Sequence, residues 1–343
     1  MAKKTEEVKS LEEVAKEINK KYGEGSVIHG DEKEEIKDVI STGSLGLDIA
    51  LGCGGIPKGR GSIIEMFGWE SSGKSTLAQR IIANFQAAGV KCLLVDGEGS
   101  LDAKYATALG VNLKELYLVQ LDEHAGEGAY DKMESLVETG QIGLVVIDSY
   151  NALQPLKLVE GDMSESGMGL HSRILGKAVM KANSLASIHG TVFLFLGQLR
   201  EKIGILYGSP ETTQGGNALK FYSHVRLRVS RSTTAENSVM QGDLKMGNKT
   251  SVNVIKNKYG PPFRSCEFDI MYGKGIDSMS ELIDIAHDFS VLKKFGKSIT
   301  YEGTKYDKDA FRQLLTDNPE MCNEIRDKVL NYKYVDVVEP IIE

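Results

Sequence analysis

Residues 62–82 run from an apolar stretch through a short loop bounded by two glycines straight into a helix-forming stretch, and few folds accommodate that succession. The apolar part is Ser62-Ile63-Ile64-Glu65-Met66-Phe67 and the loop is Gly68-Trp69-Glu70-Ser71-Ser72-Gly73-Lys74-Ser75-Thr76. The helical part begins Leu77-Ala78-Gln79-Arg80-Ile81-Ile82. Gly68 and Gly73 let main-chain N–H groups close around a polyphosphate, Lys74 neutralises its outer phosphates, and the Ser75 hydroxyl can ligate Mg2+. A strand, a phosphate loop and a helix in this order predict an α/β sheet with ATP or GTP bound at the helix N-terminus.

The rest of the chain supplies the sheet. Short apolar runs at 92–96, 116–119, 144–148 and 191–198 alternate with helical segments, as in a mainly parallel sheet covered on both faces. Runs at 224–231, 251–258 and 265–272 alternate in polarity and lie closer together, which predicts an antiparallel extension. Before the core, Ser10-Leu11-Glu12-Glu13 has capping-box spacing, and Leu11, Val14, Ala15, Ile18 and Tyr22 then recur at helical intervals. That apolar stripe can be covered by the chain's own core or by a second subunit, and the sequence leaves the two equal. After the core, helices are expected around 282–287, 308–315 and 324–331. The expected organisation is an N-terminal helix and linker over 1–40, an ATPase core over 41–277 and a small C-terminal α/β domain over 278–343.

At 343 residues there is ample chain for a buried core. Four scattered cysteines without paired spacing point to packing thiols in a reducing compartment, not to a disulfide frame or zinc site. The sequence shows no apolar signal core and no stretch long enough to cross a bilayer, so a cytoplasmic protein is expected. A net charge of −7 gives no global attraction for a polyanion, so any nucleic acid must bind in a local groove.

Several polar residues fall where strands end. Asp148 closes the run Leu144-Val145-Val146-Ile147, the place for an acid that holds Mg2+ through water. Glu98, just beyond Cys92-Leu93-Leu94-Val95-Asp96, is the better candidate to orient or deprotonate the attacking water, with Asp96 competing. Gln198 closes another apolar run, where an amide can sense the terminal phosphate or simply satisfy backbone groups. The connection 199–217 is long and glycine-rich, and its Ile203, Ile205, Leu206 and Tyr207 can wedge between bases beside Arg200 and Lys202. A second glycine-rich segment, 160–169, precedes a helix bearing Arg173. Lys256 and Lys258, two apart on an expected strand, would leave one face roughly 6 to 7 Å apart and can grip a phosphate together.

Four blocks make the chain resemble the bacterial RecA recombinase family: Ser41-Thr42-Gly43-Ser44-Leu45-Gly46-Leu47-Asp48, the loop from Gly68 to Ser75, Pro210-Glu211-Thr212-Thr213-Gln214-Gly215-Gly216-Asn217-Ala218-Leu219-Lys220-Phe221-Tyr222, and Lys256-Asn257-Lys258. The resemblance implies an ATP-dependent recombinase that forms a helical filament on single-stranded DNA, pairs it with homologous duplex and exchanges strands, in recombination, repair and the SOS response to DNA damage. It implies Glu98 as catalytic acid, Tyr105 as the stacking partner of adenine and Gln198 as phosphate sensor. It makes 161–168, from Gly161 to Met168, and 199–213 the DNA-contacting loops, with Arg173, Arg200, Ile203 and the Gly215-Gly216-Asn217 turn adding contacts. Lys256 and Lys258 would reach the ATP of the adjacent subunit, with Phe221 and Lys220 at that interface; single-strand-binding and mediator proteins are the further partners it implies.

The chain departs from the family's pattern in places. Trp69 stands for the usual proline, Gly99 for a common histidine, Gly197 for an asparagine before Gln198, and Met180 for a residue that is often basic. It ends at Val338-Glu339-Pro340-Ile341-Ile342-Glu343 without an acidic tail, so autoinhibition by such a tail is expected to be weak or absent. Such departures suit a divergent, phage-encoded member. The alternatives that use the same kind of core are a ring helicase, a clock-type or signalling ATPase, and a DNA scaffold that binds ATP only as an assembly switch.

Overall fold

The computed structural model describes residues 9–335 except 24, 33, 34, 162–168, 202–210, 232–237, 242, 243 and 297. In chain order the helices are α1 Leu11–Tyr22, α2 Leu45–Leu51, α3 Lys74–Ala87, α4 Ala103–Ala108, α5 Ala125–Val137, α6 Leu156–Glu160, α7 Leu170–His189, α8 Ala218–Tyr222, α9 Ser278–Asp288, α10 Lys308–Asp317 and α11 Pro319–Val335. The strands are β1 Val39–Ile40, β2 Ile56–Pro57, β3 Ser62–Gly68, β4 Lys91–Asp96, β5 Leu116–Gln120, β6 Ile142–Asp148, β7 Val192–Glu201, β8 Glu211–Thr213, β9 Val225–Arg231, β10 Ser238–Gln241, β11 Leu244–Asn257, β12 Ser265–Met271, β13 Gly275–Ile276, β14 Lys293–Phe295, β15 Ser298–Tyr301 and β16 Thr304–Asp307. Contacts divide the chain into two compact units, residues 1–37 and 38–343.

In the first unit α1 starts with the capping box its sequence predicts: Ser10 Oγ accepts from Glu13 N, and Glu13 returns the bond to Ser10 N. No residue of α1 is buried; of its apolar stripe Leu11, Val14 and Tyr22 are exposed and Ala15 and Ile18 half-buried.

In the second unit every residue of β3 is buried, and β3 forms the middle of the main sheet. The strand order is β13-β12-β11-β9-β3-β7-β6-β4-β5, parallel from β9 to β5 and antiparallel from β11 outward. Side chains alternate between faces along each strand. Ile64, Met66, Leu94, Val146 and Leu194 therefore meet Leu77, Ile81 and Phe85 of α3 on one face. Ile63, Leu93, Val145, Phe193 and Phe195 meet Met133 of α5 and Leu175, Val179 and Ala182 of α7 on the other. Each such side chain contributes about 1.5–3 kcal/mol by leaving water, so α3 is held hard against the strand that feeds its N-terminus.

The structure corrects several expectations. The 199–217 connection is not one open loop: Leu199, Arg200 and Glu201 continue β7 and pair antiparallel with β8, forming a stem around residues 202–210. Strand β10 adds to the expected set, and β11 starts at Leu244, well before the expected 251, because it pairs with β10 as well as with β9 and β12. The C-terminal region is mixed α/β as expected, with the three-stranded sheet β14-β15-β16 beside its helices; its short, half-exposed strands gave too little apolar signal to be placed individually. Leu45 and Ile49 of α2 share a core with Leu282, Ile283, Phe311, Ile325 and Val329. Glu281 of α9 caps α2 from far along the chain, accepting from Ser44 Oγ at 2.5 Å, Leu45 N at 3.1 Å and Gly46 N at 3.0 Å.

Candidate functional site

The carboxyl ends of the parallel strands gather most of the predicted polar residues, and the register explains how. Asp96 lies opposite Asp148, and Ile147 lies opposite Phe195, which sets Asp148 level with Leu196. Two residues further on, Glu98 and Gln198 are again level across the intervening β6. Gln198 Nε2 donates to Glu98 Oε1 at 3.0 Å, and Ser149 Oγ donates to the same oxygen at 2.6 Å. Asp96 instead accepts from Ser100 N and Leu101 N, both at 3.1 Å, and shapes the turn that carries Glu98. Of the two competing acids, Glu98 is the one that faces Gln198.

The loop between β3 and α3 has the shape a phosphate needs. A side chain at Gly68 would put its Cβ 2.1 Å from Val229 O, and Gly73 adopts φ +99° with a Cβ position 2.5 Å from Ile270 Cδ1. Gly73 stands at the N-cap of α3 with no side chain capping the helix, so the first-turn N–H groups remain available to an anion. Lys74 Nζ donates to Gly68 O at 3.1 Å and Trp69 O at 2.8 Å, folded back over the cradle it would neutralise. Burial pulls the Lys74 ammonium pKa down, opposed by Asp148, Glu98 and Glu70. Burial likewise pushes Asp148 up to about 6, while a hydrogen bond from Ser75 lowers it and Glu98 raises it.

A cavity of about 220 Å³ opens beside this loop, lined by Ser71, Ser72, Gly73, Lys74, Ser75 and Thr76 on one side. Tyr105 lines it as well, its hydroxyl 3.1 Å from Thr76 Oγ1. The far wall comes from Arg231 at the end of β9 and from Asn248, Thr250, Ile270 and Tyr272 on or just after the antiparallel strands β11 and β12, residues the sequence alone did not single out. Asn248 Nδ2 donates to Tyr272 Oη at 2.7 Å, and its buried Oδ1 has no partner among the described residues. Strand polarity signalled that these residues form a sheet, but nothing local signalled that the sheet folds beside the phosphate loop.

The other candidates are dispersed. Arg173 on α7 and Arg200 on β7 are exposed, Gly161 ends α6, and Asn217 starts α8 after Gly215 and Gly216, both in left-handed conformation. Met168 and Ile203 lie outside the described residues. Lys256 and Lys258 stay two apart at the end of β11: the bulge between Val254 and Lys256 precedes both, β11 ends at Asn257, and Lys258 N donates to His224 O at 2.9 Å. Lys256 Nζ donates to Lys220 O at 2.9 Å and Phe221 O at 3.0 Å, while Phe221 is 73% exposed. Trp69 Nε1 donates to Glu211 Oε1 at 3.3 Å, and Arg228 holds the same carboxylate by two bonds of 2.8 and 3.0 Å. The phosphate loop is thus tied to the stem of the 202–210 segment.

A phosphate loop between a central parallel strand and its helix, with acids at the end of β6 and just beyond β4, defines a P-loop nucleoside triphosphatase. Residues 9–277 match the RecA N-terminal domain family. The chain is 45% identical over 329 residues to a Protein RecA of Bordetella petrii, covering 95% of this chain and 90% of that protein. It is also 45% identical to Protein RecA of Azospirillum lipoferum over 325 residues and of Cytophaga hutchinsonii over 327, each covering 94% of this chain and 88% and 90% of those proteins. The chain belongs to the RecA family: it is a DNA recombinase and DNA-dependent ATPase that binds DNA and assembles into filaments. Among the described residues no helix is long and apolar enough to cross a membrane.

Proposed function

We propose that this chain hydrolyses ATP with Mg2+ at the Lys74 loop, and that the terminal phosphate controls its grip on single-stranded DNA through Gln198. The observation that carries this reading is the Gln198–Glu98 hydrogen bond, because Gln198 lies on the strand that runs directly into the second DNA loop. Glu98 holds and polarises the attacking water, and Gln198, bonded to it, responds to whether the phosphate is present.

The residues present fit both groups. The first-turn N–H groups of α3, the glycine cradle and Lys74 suit a triphosphate. Asn248 Oδ1, without a partner among the described residues, is an acceptor for a base amine in a cavity flanked by Tyr105 and Tyr272. Ser75 and Asp148, already hydrogen-bonded to each other, are hard oxygen donors of the kind Mg2+ takes alongside substrate phosphates. When bound, Mg2+ neutralises charge that builds on the phosphates during transfer.

Lys256 and Lys258 act across a subunit boundary. Lys256 leaves the Lys220 and Phe221 carbonyls to reach the neighbour's phosphates, with exposed Phe221 packed at that boundary. The uncovered stripe of α1 finds its cover on the next subunit, which gives residues 1–40 an oligomerisation role in an open, head-to-tail helix. Gly161, Met168, Arg173, Arg200, Ile203 and the 215–217 turn contact DNA, residues 278–343 form the C-terminal domain, and the filament works in the cytoplasm with single-strand-binding and mediator proteins. The test is steady-state ATP hydrolysis with and without single-stranded DNA in wild type, Lys74→Ala and Glu98→Gln. DNA-stimulated turnover lost by 10²-fold or more in both variants supports the reading, the scale that removal of a catalytic acid or base commonly gives; turnover indifferent to DNA overturns it.

A further inference from the structure

Beyond Glu98 and Gln198, the turn that follows Asp148 holds two side chains with no role so far. Asn151 is buried, and its carboxamide faces two ways. Its Oδ1 accepts from Gln198 N at 2.8 Å, and its Nδ2 donates to Gln214 Oε1 at 3.1 Å. Gln214 follows β8 directly, at the exit of the stem around 202–210. Tyr150, also buried, donates to Glu65 Oε1 at 3.4 Å and hydrogen-bonds the Thr213 side chain. The Tyr150 carbonyl accepts from His171 Nε2 at 3.0 Å, in the first turn of α7. Two adjacent residues therefore touch the sensor strand, the stem of the second DNA loop and the helix that follows the first.

We infer that Asn151 is a positioning residue that transmits the state of Gln198 to Gln214, with Tyr150 as its rigid backing. This rests on the reading that Gln198 senses phosphate and that 199–213 contacts DNA. The physical case lies in the bonding pattern. Gln198 cannot move its backbone without losing its bond to Asn151, and a buried amide left half-bonded is costly, so Asn151 must follow or rotate. Rotation in turn breaks its bond to Gln214. Tyr150 cannot yield, because it is fully buried against Phe195 and its ring fills the space at Gly197, where a Cβ would lie 2.3 Å from Tyr150 Oη. The asparagine usual before Gln198 in the family cannot fit beside this ring, and in this chain Asn151 supplies an amide to the same strand from the neighbouring turn.

The test is the affinity of a labelled oligo-dT for full-length protein with and without a non-hydrolysable ATP analogue. It is applied to wild type, Asn151→Ala, Asn151→Asp, Gln214→Ala and Gln198→Ala, with analogue affinity read separately from Trp69 fluorescence. Asn151→Ala and Gln214→Ala should each cut the nucleotide-dependent gain in DNA affinity by about tenfold or more while analogue affinity stays within about twofold. Asn151→Asp should keep the gain, since its carboxylate accepts from Gln198 N and from a rotated Gln214 amide. A merely structural role would lower both affinities together and would not be rescued by aspartate. Gln214 is only half-buried, so Gln214→Ala decides the question even where Asn151→Ala fails to fold. The inference is overturned if Asn151→Ala and Gln214→Ala keep the wild-type gain while Gln198→Ala loses it. A wild type without any nucleotide-dependent gain overturns the sensor reading itself.

Discussion

Replacing Gly197 by asparagine, the residue the family commonly carries there, should destabilise this protein instead of improving it. The new Cβ would sit 2.3 Å from Tyr150 Oη, 2.5 Å from Cζ and 2.6 Å from Cε1, where ordinary contacts need a full ångström more. Tyr150 is held in place: it is fully buried, its ring lies edge-on to Phe195 at 6.5 Å, and its hydroxyl bonds Glu65 in the middle of the sheet. Overpacking of this kind costs about 1–3 kcal/mol, and breaking the buried phenol–carboxylate bond adds about 1–3 kcal/mol, so the expected loss is about 4 kcal/mol. At roughly 2 °C per kcal/mol for a chain of this size, the melting temperature followed by circular dichroism should fall by about 8 °C. Adding Tyr150→Val removes the clash, so the double variant should be more stable than the sum of the two single losses by about 2 kcal/mol. A Gly197→Asn variant that melts within about 2 °C of wild type, or strict additivity in the double variant, would refute the steric argument.

Two further outcomes follow from the phosphate loop. Asp148 titrates near 6 in the folded chain against an ordinary 3.8, so the folded state holds the proton more tightly. That contribution is complete below about pH 4, is lost as pH rises through about 6, and amounts to at most about 3 kcal/mol in nucleotide-free protein. Asp148→Asn should flatten the stability profile of the nucleotide-free protein between pH 4 and 7, and an unchanged slope would assign the profile to other groups. Trp69 is the single tryptophan of the chain and donates to Glu211, so its emission should change when nucleotide enters the loop. Glu211→Ala should shift the nucleotide-free emission and shrink that change, whereas Trp69→Phe, losing one half-exposed hydrogen bond, should cost only about 1 kcal/mol of stability; an emission indifferent to both perturbations would show that the indole does not sense the loop.

Local sequence patterns specify the strand–loop–helix around Lys74, the parallel sheet that must carry it, and the capping box of α1. Each of these depends on residues close together in the chain: apolar runs of strand length, two glycines at fixed spacing, and a Ser-x-x-Glu start. The same patterns place Asp148, Glu98 and Gln198 at one edge of the sheet, because strand ends can be read from where apolar runs stop. Which of those acids meets Gln198 was decided only by register: the alignment of β4, β6 and β7 sets Glu98 level with Gln198 and leaves Asp96 to bind its own turn. The same holds for the wall formed by Asn248 and Tyr272, for Lys256 resting on the carbonyls of Lys220 and Phe221, and for the cap that Glu281 places on α2. These contacts join residues from about 35 to more than 200 positions apart, or depend on a bulge that turns one side chain, and no local pattern carries that information. Gly197 shows the difference most plainly. In the sequence it is a missing asparagine, and in the fold it is the only residue small enough to leave room for the ring of Tyr150.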